Sequence, residues 1–517
     1  MSAGDLSWPL ARAAFVHGEA VAIVEGGRSL TYRQLAERVG ALGAALDELE
    51  LGEGARAGYL GVNSLAHLEC WLAVPAFGRV LADLNFRLAA DELAFMVDDA
   101  GIEVLIADAT QLEVARELRE RCPSLRQLIL DGPRACPGDC LAYEDLVAGP
   151  PASPLAQAEA TLATISYTGG TTGRPKGVML SHGNLLANAR HNLIATGHRT
   201  EDRFLHVPPM FHVAGTSNIF ACTWVGARQI VLPRFDAAAV LAAIERERIT
   251  HMVLVPTMLA MLLDAPEFSG ADLSSLHNVQ YAASPISPEL QRRVLEHLPC
   301  EIAQFYGMTE AAPTVSHLTP DDHRRRPGRI GSMGAPVPGV QVEVRGPNGD
   351  RLPAGEVGEL WIQGPNIMLG YWNRPDATAE ALVDGWYRSG DIVRADDHGY
   401  LFMVDRAKDM IITGGENVYS IEVESVLTEQ HDVLEAAVLG IPDARWGEAV
   451  HAVVTVRPGA DVTVEELTEH VRRRIAGFKV PRSIDLRTEP LPKSGAGKVL
   501  KSQLREPYWT GLERRVS

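Results

Sequence analysis

Stretches of helical spacing rich in Ala, Leu and Glu alternate with short β-branched or apolar runs through the first 400 residues. The alternation is plain in ALGAALDEL (41–49), ARAGYLGV (55–62), LECWLAVPAFG (68–78) and VLIADA (104–109). Such a change of period is the signature of βαβ units, so the pattern predicts an α/β protein built on a mostly parallel sheet. Over 331–372, GSMGAPVPGVQVEVRGPNGDRLPAGEVGELWIQGPNIMLGYW, strand-like runs are joined by Pro, Gly and Asn turns, and a β-rich subdomain is expected at 331–404. The texture changes again at VDRAKDMIITGGEN (404–417). There a charged turn, an apolar strand and a Gly-Gly step open a run of amphipathic helix and strands that ends in the helix EELTEHVRRRIAGF. The expected organisation is a large N-terminal domain over 1–405, a hinge at 406–408 and a small mobile α+β domain over 409–517.

A chain of 517 residues is too long for one ordinary core and suggests about three structural units. With 66 acidic against 48 basic side chains the net charge is −18, which argues against a nucleic-acid partner. The arginine runs 324–326 and 472–474 read as solvated faces. The start MSAGDLSWPLARAAF has no basic segment before an apolar core, and the most apolar window, HMVLVPTMLAMLL (251–263), is short and broken by Pro256, so neither export nor a membrane span is expected. Six cysteines, with Cys136 and Cys140 the one close pair, form no zinc or disulfide pattern, and a reduced cytoplasmic protein is expected.

Candidate chemistry concentrates in YTGGTTGRPKGVMLSH (167–182). A Walker A loop places Lys directly after a glycine and before Ser or Thr; here Pro175 precedes Lys176 and Gly177 follows it, so that pattern fails. The backbone N–H groups around Gly169, Gly170 and Gly173, the hydroxyls of Thr168, Thr171 and Thr172 and the Lys176 ammonium still form a donor-rich concavity for polyphosphate.

With PPMFHVAG (208–215), QFYGMTE (304–310), WYRSGD (386–391), DRAKD (405–409) and PKSGAGK (492–498) following in order, the chain resembles the AMP-forming acyl-adenylate superfamily over nearly its whole length. That resemblance implies an acid-thiol ligase. A carboxylate attacks the α-phosphorus of ATP, pyrophosphate leaves, and a thiol takes the acyl group from the acyl-adenylate. It implies that the 168–176 loop clasps the β- and γ-phosphates and that Glu310 binds Mg²⁺ with Thr168. Tyr306 would stack on adenine, Thr309 would reach the α-phosphate, and Ala283, Ser284 and Gly307 would lie against the nucleotide. Asp391 and Arg406 would hold the ribose, and Lys498 would bridge carboxylate and phosphate oxygens. Lys408 matches the hinge, about which the small domain turns so that Gly414 and Gly415 line a pantetheine channel, with Arg87, Trp446 and Phe478 as further CoA contacts. His212 occupies the place of an aromatic gate between acyl pocket and channel.

The resemblance places the acyl pocket in 209–217, 255–258, 281–285 and 304–308, with His212, Val213, Gly215, Pro256, Phe305 and Met308 among its walls. None of these stretches carries Asp, Glu, Lys or Arg, and a buried unpaired charge is costly, so an apolar monocarboxylic acid is expected. Phe305 stands where many relatives have glycine, which favours a medium-length or ring-bearing acid over a straight, very long chain. Ser284 stands where alanine is usual, and the glycine-rich SGAG before Lys498 replaces a segment in which threonine commonly appears. A carrier-protein phosphopantetheine as acceptor and a non-catalytic nucleotide-binding protein are the alternatives, and a homodimer is left open.

Overall fold

The computed structural model describes residues 4–132, 138–168, 175–284, 286–414, 416–443, 445–493 and 498–510. Among these, four sheets organise the chain. Gln341–Arg345, Val357–Gln363, Leu382–Val383, Trp386–Ala395 and Leu401–Arg406 form a five-stranded antiparallel sheet. A nine-stranded sheet runs Ala335–Pro336, Thr314–Leu318, Glu301–Gly307, Asn278–Tyr281, His251–Leu254, Arg203–His206, Arg228–Val231, Val21–Glu25, Arg28–Thr31. Its central strands are parallel and its edges antiparallel. An eight-stranded sheet is parallel from Leu162–Thr168 through Val80–Leu84, Arg56–Leu60, Ile102–Asp108 and Gln127–Asp131, and closes at the other end on the hairpin partner Lys176–Ser181. The fold is therefore α/β with helices covering both parallel layers.

The last sheet contains only residues after Met410: Ile411–Thr413, Glu416–Val418, Val433–Asp443, Gly447–Val456 and, in parallel, Ser483–Arg487. The helix in EELTEHVRRRIAGF is shorter than its sequence suggests. It runs Val464–Arg472 from a Thr463/Glu466 capping box, and a turn at Gly477–Lys479, a strand and the helix Lys501–Trp509 follow it. The apolar window at 251–263 splits at its proline into the strand His251–Leu254 and the helix Pro256–Leu263, the proline sitting where a first-turn N–H would be unpaired. The strands on either side of the candidate phosphate loop, Leu162–Thr168 and Lys176–Ser181, pair antiparallel. The arginine runs are exposed, and five of their six members are paired among the described residues: Arg324 with Glu301, Arg325 with Asp321, Arg472 and Arg473 with Glu469, Arg474 with Glu429. No helix among the described residues is long and apolar enough to cross a membrane.

One ionic group lies inside the N-terminal core. Glu69, fully buried, accepts from Arg38 and from the Tyr143 hydroxyl (2.8 Å), and Arg38 also reaches Glu144. A buried pair adds little over an apolar pair, but removing one partner strands the other charge. Arg38→Ala should therefore destabilise the large domain by about 3–5 kcal/mol, while the double variant Arg38→Met/Glu69→Leu recovers most of the loss. Denaturant titration of both variants checks this, and equal losses in the two would contradict it.

Candidate active site

Segments from three of the four sheets meet where the parallel strands of the nine-stranded sheet end. Asn278–Tyr281 runs on into Ala283, held at φ +76°, and Ser284, while Glu301–Gly307 runs through Tyr306 and Gly307 into the short turn Thr309–Ala311 that carries Glu310. A Cβ at Gly307 would stand 1.8 Å from the Pro313 carbonyl oxygen, so only glycine lets the chain fold back there. From the eight-stranded sheet come Thr168 and Lys176, opposite each other at the mouth of their hairpin. Residues 169–174, which include the Gly169, Gly170, Thr171, Thr172 and Gly173 named above, lie outside the described residues, as does Gly415.

Tyr371, on a two-residue strand paired to the Lys176 strand, joins these parts. Its hydroxyl donates to Glu310 Oε1 at 3.0 Å, and the Lys176 ammonium lies 4.9 Å from its ring centre. The loop lysine and the carboxylate proposed for the metal thus share one aromatic support. Nothing in the motif order announced Tyr371; its only signal is its place in GYW (370–372), within the β-rich segment.

The register of the antiparallel pair Trp386–Ala395 and Leu401–Arg406 sets Asp391 directly opposite Arg406, with Arg406 Nε 3.4 Å from Asp391 Oδ1. Tyr306 donates its hydroxyl to Asp391 Oδ2 at 2.6 Å, which ties the proposed adenine platform to the proposed ribose carboxylate. Burial, followed by the Asp391 charge, pushes the Tyr306 phenol far up, so it remains a donor at any working pH.

Lys498 enters this cleft from the small domain. It hangs on a hairpin closed by the Lys493–Val499 bridge and by Leu500 N–H donating to the Pro492 carbonyl at 2.8 Å. Its charged neighbours are Arg406, Asp391, Glu310 and Lys408. Desolvation in the cleft and then the Arg406 charge bring the Lys498 ammonium down to about 8, against the opposing pull of Asp391 and Glu310. His212 lies within reach of the same charge: burial first, Lys498 second, hold its imidazole at about 4. It caps the short helix Val213–Thr216, its Nδ1 accepting from Ala214 N–H at 3.2 Å, which leaves the ring proton on Nε2. His212 is thus a neutral wall between Lys498 and the strand ends.

Lys408 sits in the turn after Arg406, where Asp409 N–H and Met410 N–H both donate to the Arg406 carbonyl. Desolvation and then Arg406 lower its ammonium. Behind this turn, buried Asp405 accepts from Ser420 N–H and from Ser420 Oγ (3.0 Å), and Lys501 joins Ser420 Oγ (2.6 Å) to half-buried Glu424 (2.6 Å). Arg505 pairs with Asp409 at 3.2 Å. The C-terminal helix therefore braces both sides of the turn, a network that motif reading missed because its members are spread from 405 to 505.

The residues proposed for CoA fall in two places. Gly414, at φ +62°, packs flat on Trp446, where a Cβ would approach the indole to 2.7 Å, and Gly414 N–H donates to the Trp446 carbonyl at 2.8 Å. Arg445 and Arg482 stand over that indole at 4.6 and 5.2 Å, and Phe478 is exposed nearby in sequence to Lys479, which lies 5.8 Å over its ring. Arg87 belongs to the large domain, stacked over Phe86 (5.5 Å) and over Phe211 (5.9 Å), the neighbour of His212. Among the residues named for the acyl pocket, Val213 is buried beside His212, Pro256 opens its helix, and Met308 precedes the Glu310 turn. Gly215 has a backbone reason of its own: a Cβ would meet the carbonyl oxygens of Pro209 at 2.3 Å and Pro208 at 2.6 Å. Phe305 is buried and stacks on His317, ring centres 4.5 Å apart at 15°.

The AMP-binding enzyme family matches residues 10–372, and the AMP-binding enzyme C-terminal domain matches residues 422–498. Feruloyl-CoA synthase of an Amycolatopsis species is 40% identical over 503 residues, covering 97% of this chain and 98% of its own. Indoleacetate–CoA ligase of Aromatoleum aromaticum is 36% identical over 484 residues, 93% of each chain. The solved structure of an amide bond synthetase from Marinactinospora thermotolerans superposes with a TM-score of 0.88 at 34% identity, over 97% of this chain and 100% of that one. The chain belongs to the family of AMP-binding enzymes, the AMP-forming acyl-adenylate superfamily.

Proposed function

We propose that this protein is an acyl-CoA synthetase that activates an apolar, ring-bearing or medium-length monocarboxylic acid as its adenylate and passes the acyl group to CoA. One observation carries the reading: Lys498, from the small domain, stands among Glu310, Asp391 and Arg406 beside neutral His212. Two anions must meet for the carboxylate to attack the α-phosphorus, and preorganised positive charge at that point lowers the barrier most. The Lys498 ammonium would pair with the oxygens that gain charge as the new P–O bond forms and pyrophosphate departs. His212, lacking a positive charge of its own, would orient the carboxylate without trapping it as an ion pair. Thr309 would donate to the α-phosphate, while Asp391 and Arg406 fix the ribose, with Tyr306 locking the carboxylate of that pair.

A magnesium ion suits the donor set, since Glu310 keeps one oxygen clear of its Tyr371 bond, Thr168 offers a hydroxyl, and the remaining ligands would come from water and phosphate. Bound there, it would screen the β- and γ-phosphates and stabilise the leaving pyrophosphate. For the thiol step the small domain would turn about Lys408 and bring the Gly414 face to the acyl-adenylate. Arg445 and Arg482 around Trp446 give that face a cationic surface matched to the phosphates of CoA, which favours CoA over a carrier protein as acceptor.

Incubating the protein with ATP, Mg²⁺, CoA and a panel of acids should release AMP and yield an acyl-CoA; ADP in place of AMP defeats the proposal, and a carrier protein outpacing CoA reassigns the acceptor. Lys498→Ala should slow acid-dependent ATP–pyrophosphate exchange by roughly 10²–10³, while thioester formation from supplied acyl-adenylate falls less than about tenfold, a division that equal losses would refute. The pH dependence follows from the depressed ammonium. Lys498 is protonated below about pH 8 in the nucleotide-free protein and loses its proton above it, and a bound polyanion favours the charged form. ATP binding should therefore take up close to one proton at pH 9 and almost none at pH 6.5. Calorimetry in buffers of different ionisation enthalpy measures this, and the uptake should disappear in Lys498→Ala.

A further inference from the structure

Strand register shows which side chains share the wall below the adenylate cleft. Phe204 pairs with His251, Val253 with Gln280, Gln280 with Ala303, and Phe305 with His317, so Phe204, His206, Val253, Gln280, Ala303, Phe305 and His317 lie on one face of the nine-stranded sheet. The opposite face, with Met252, Leu254, Val279 and Tyr281, packs into an apolar core against the helices Ala237–Glu247, Pro256–Leu263 and Pro288–His297. The first face looks toward Val213–Thr216 and Ile219–Val225: Phe204 and Val253 cluster with Cys222, and His206 Nδ1 lies 3.3 Å from the Gly215 carbonyl. That helical cover begins at His212, so the acyl group of an adenylate lying against Ala283 and Ser284 would extend down this face.

Two side-chain nitrogens on it, Gln280 Nε2 and His317 Nε2, are buried without a hydrogen-bond partner among the described residues; Asn278 Oδ1, also unpartnered, lies farther along the same face beside Glu301. Gln280 is 1% exposed. Other polar groups on the face have partners: His206 Nε2 lies against Gln229 Oε1 at 3.0 Å, Gln229 Nε2 donates to Thr223, and His251 Nδ1 pairs with Thr250 Oγ1 at 2.8 Å. A buried amide or imidazole N–H without a partner costs about 1–3 kcal/mol, so these two atoms mark a place where something polar is expected to arrive. It should be uncharged. Burial, then His323, hold His317 at about 4, so its ring is neutral near pH 7; of the carboxylates on this face, Glu301 is exposed at its far end and paired with Arg324, and Glu25, two strands beyond His206, accepts from Leu65 N–H. The surroundings are aromatic, with the Phe305–His317 stack on one side and Phe204 against His206 (4.8 Å) on the other. Gln280 precedes Ala283 by three residues, roughly 10 Å of extended chain, a depth reached by an aromatic ring whose carboxyl sits on a short spacer.

We infer that Gln280 and His317 are specificity residues of the acyl pocket, and that the acid is an aryl carboxylic acid bearing an uncharged hydroxyl or alkoxy group remote from its carboxyl. Phe305 provides the flat wall for the ring, and its bulk turns away long unbranched chains. The inference rests on the acyl-adenylate reading above and narrows it. A pocket that offers hydrogen bonds to a substrate oxygen discriminates strongly against the analogue lacking it, because its own groups are then left unpaired.

The test compares acids that differ by that oxygen alone, 4-hydroxycinnamate and cinnamate, in acid-dependent ATP–pyrophosphate exchange. The wild-type protein should prefer the hydroxylated acid by tenfold or more in kcat/KM. In Gln280→Leu and in His317→Phe, each checked by thermal melting, that ratio should drop below about threefold. A wild-type ratio near one overturns the inference, and so does a ratio that survives in both variants. Exchange with alkanoic acids at normal rates alongside a ratio of one removes this inference and leaves adenylation standing; no exchange with any acid removes both. The wild-type comparison needs no variant, so a substitution that fails to fold does not block the decision.

Discussion

The site depends on like charges held close together in a partly desolvated cleft. Arg406, Lys408 and Lys498 converge on Asp391, Glu310 and Asp409; desolvation first and the Arg406 charge second lower the ammonium groups of Lys408 and Lys498, while Arg406 itself is held protonated by Asp391 and its acidic neighbours. Such an arrangement is poorly satisfied by the protein alone. On the proposed reading, a polyphosphate would bring negative charge to the depressed ammonium groups and favour their charged form, which draws ATP and the charge that develops on the α-phosphate. Neutral His212 fits the same logic, since a further fixed cation would bind the carboxylate ground state as well as the transition state and gain nothing in rate.

The remaining architecture holds those charges in register. Antiparallel pairing sets Asp391 against Arg406, and the Tyr306 hydroxyl fixes the carboxylate between them. Tyr371 couples the hairpin lysine to Glu310. Behind the turn at Lys408, Asp405, Ser420, Lys501 and Glu424 form a largely buried polar network in which the C-terminal helix braces the small domain. Networks of this kind fix one geometry because each member left alone would be buried and unpaired.

Certain parts of this structure were legible from residue order. The βα alternation gave the α/β class because burial on one stripe or on both faces of a strand writes its period into the chain. The residue types of the site were equally visible, since phosphate, ribose and carboxylate chemistry demand a small set of side chains in short local motifs: Lys176, Glu310, Asp391, Arg406 and Lys498 each stand in such a motif. Local pattern misled where local and tertiary demands diverge. EELTEHVRRRIAGF keeps its helical period past Arg472, yet the chain leaves the helix so that Ser483–Arg487 can join the sheet, a gain in ladder hydrogen bonds that no window of sequence contains. Gly215, named for the acyl pocket, also has a backbone reason to be glycine that residue order does not show, the two proline carbonyls at its back.

What the sequence determined by itself was the inventory: an acidic, α/β chain with groups for handling phosphates and no charged side chain in the segments assigned to the acyl group. Tertiary structure alone decided which of those groups meet. Lys498 stands 107 positions from Asp391 and 188 from Glu310, and only the docking of the small domain makes them electrostatic neighbours. The unpartnered atoms of Gln280 and His317, like the roles of Tyr371 and Lys501, come from strand register and burial. Hydrogen-bond satisfaction and desolvation are properties of a surrounding volume, and a linear order of residues does not specify that volume until the chain has folded.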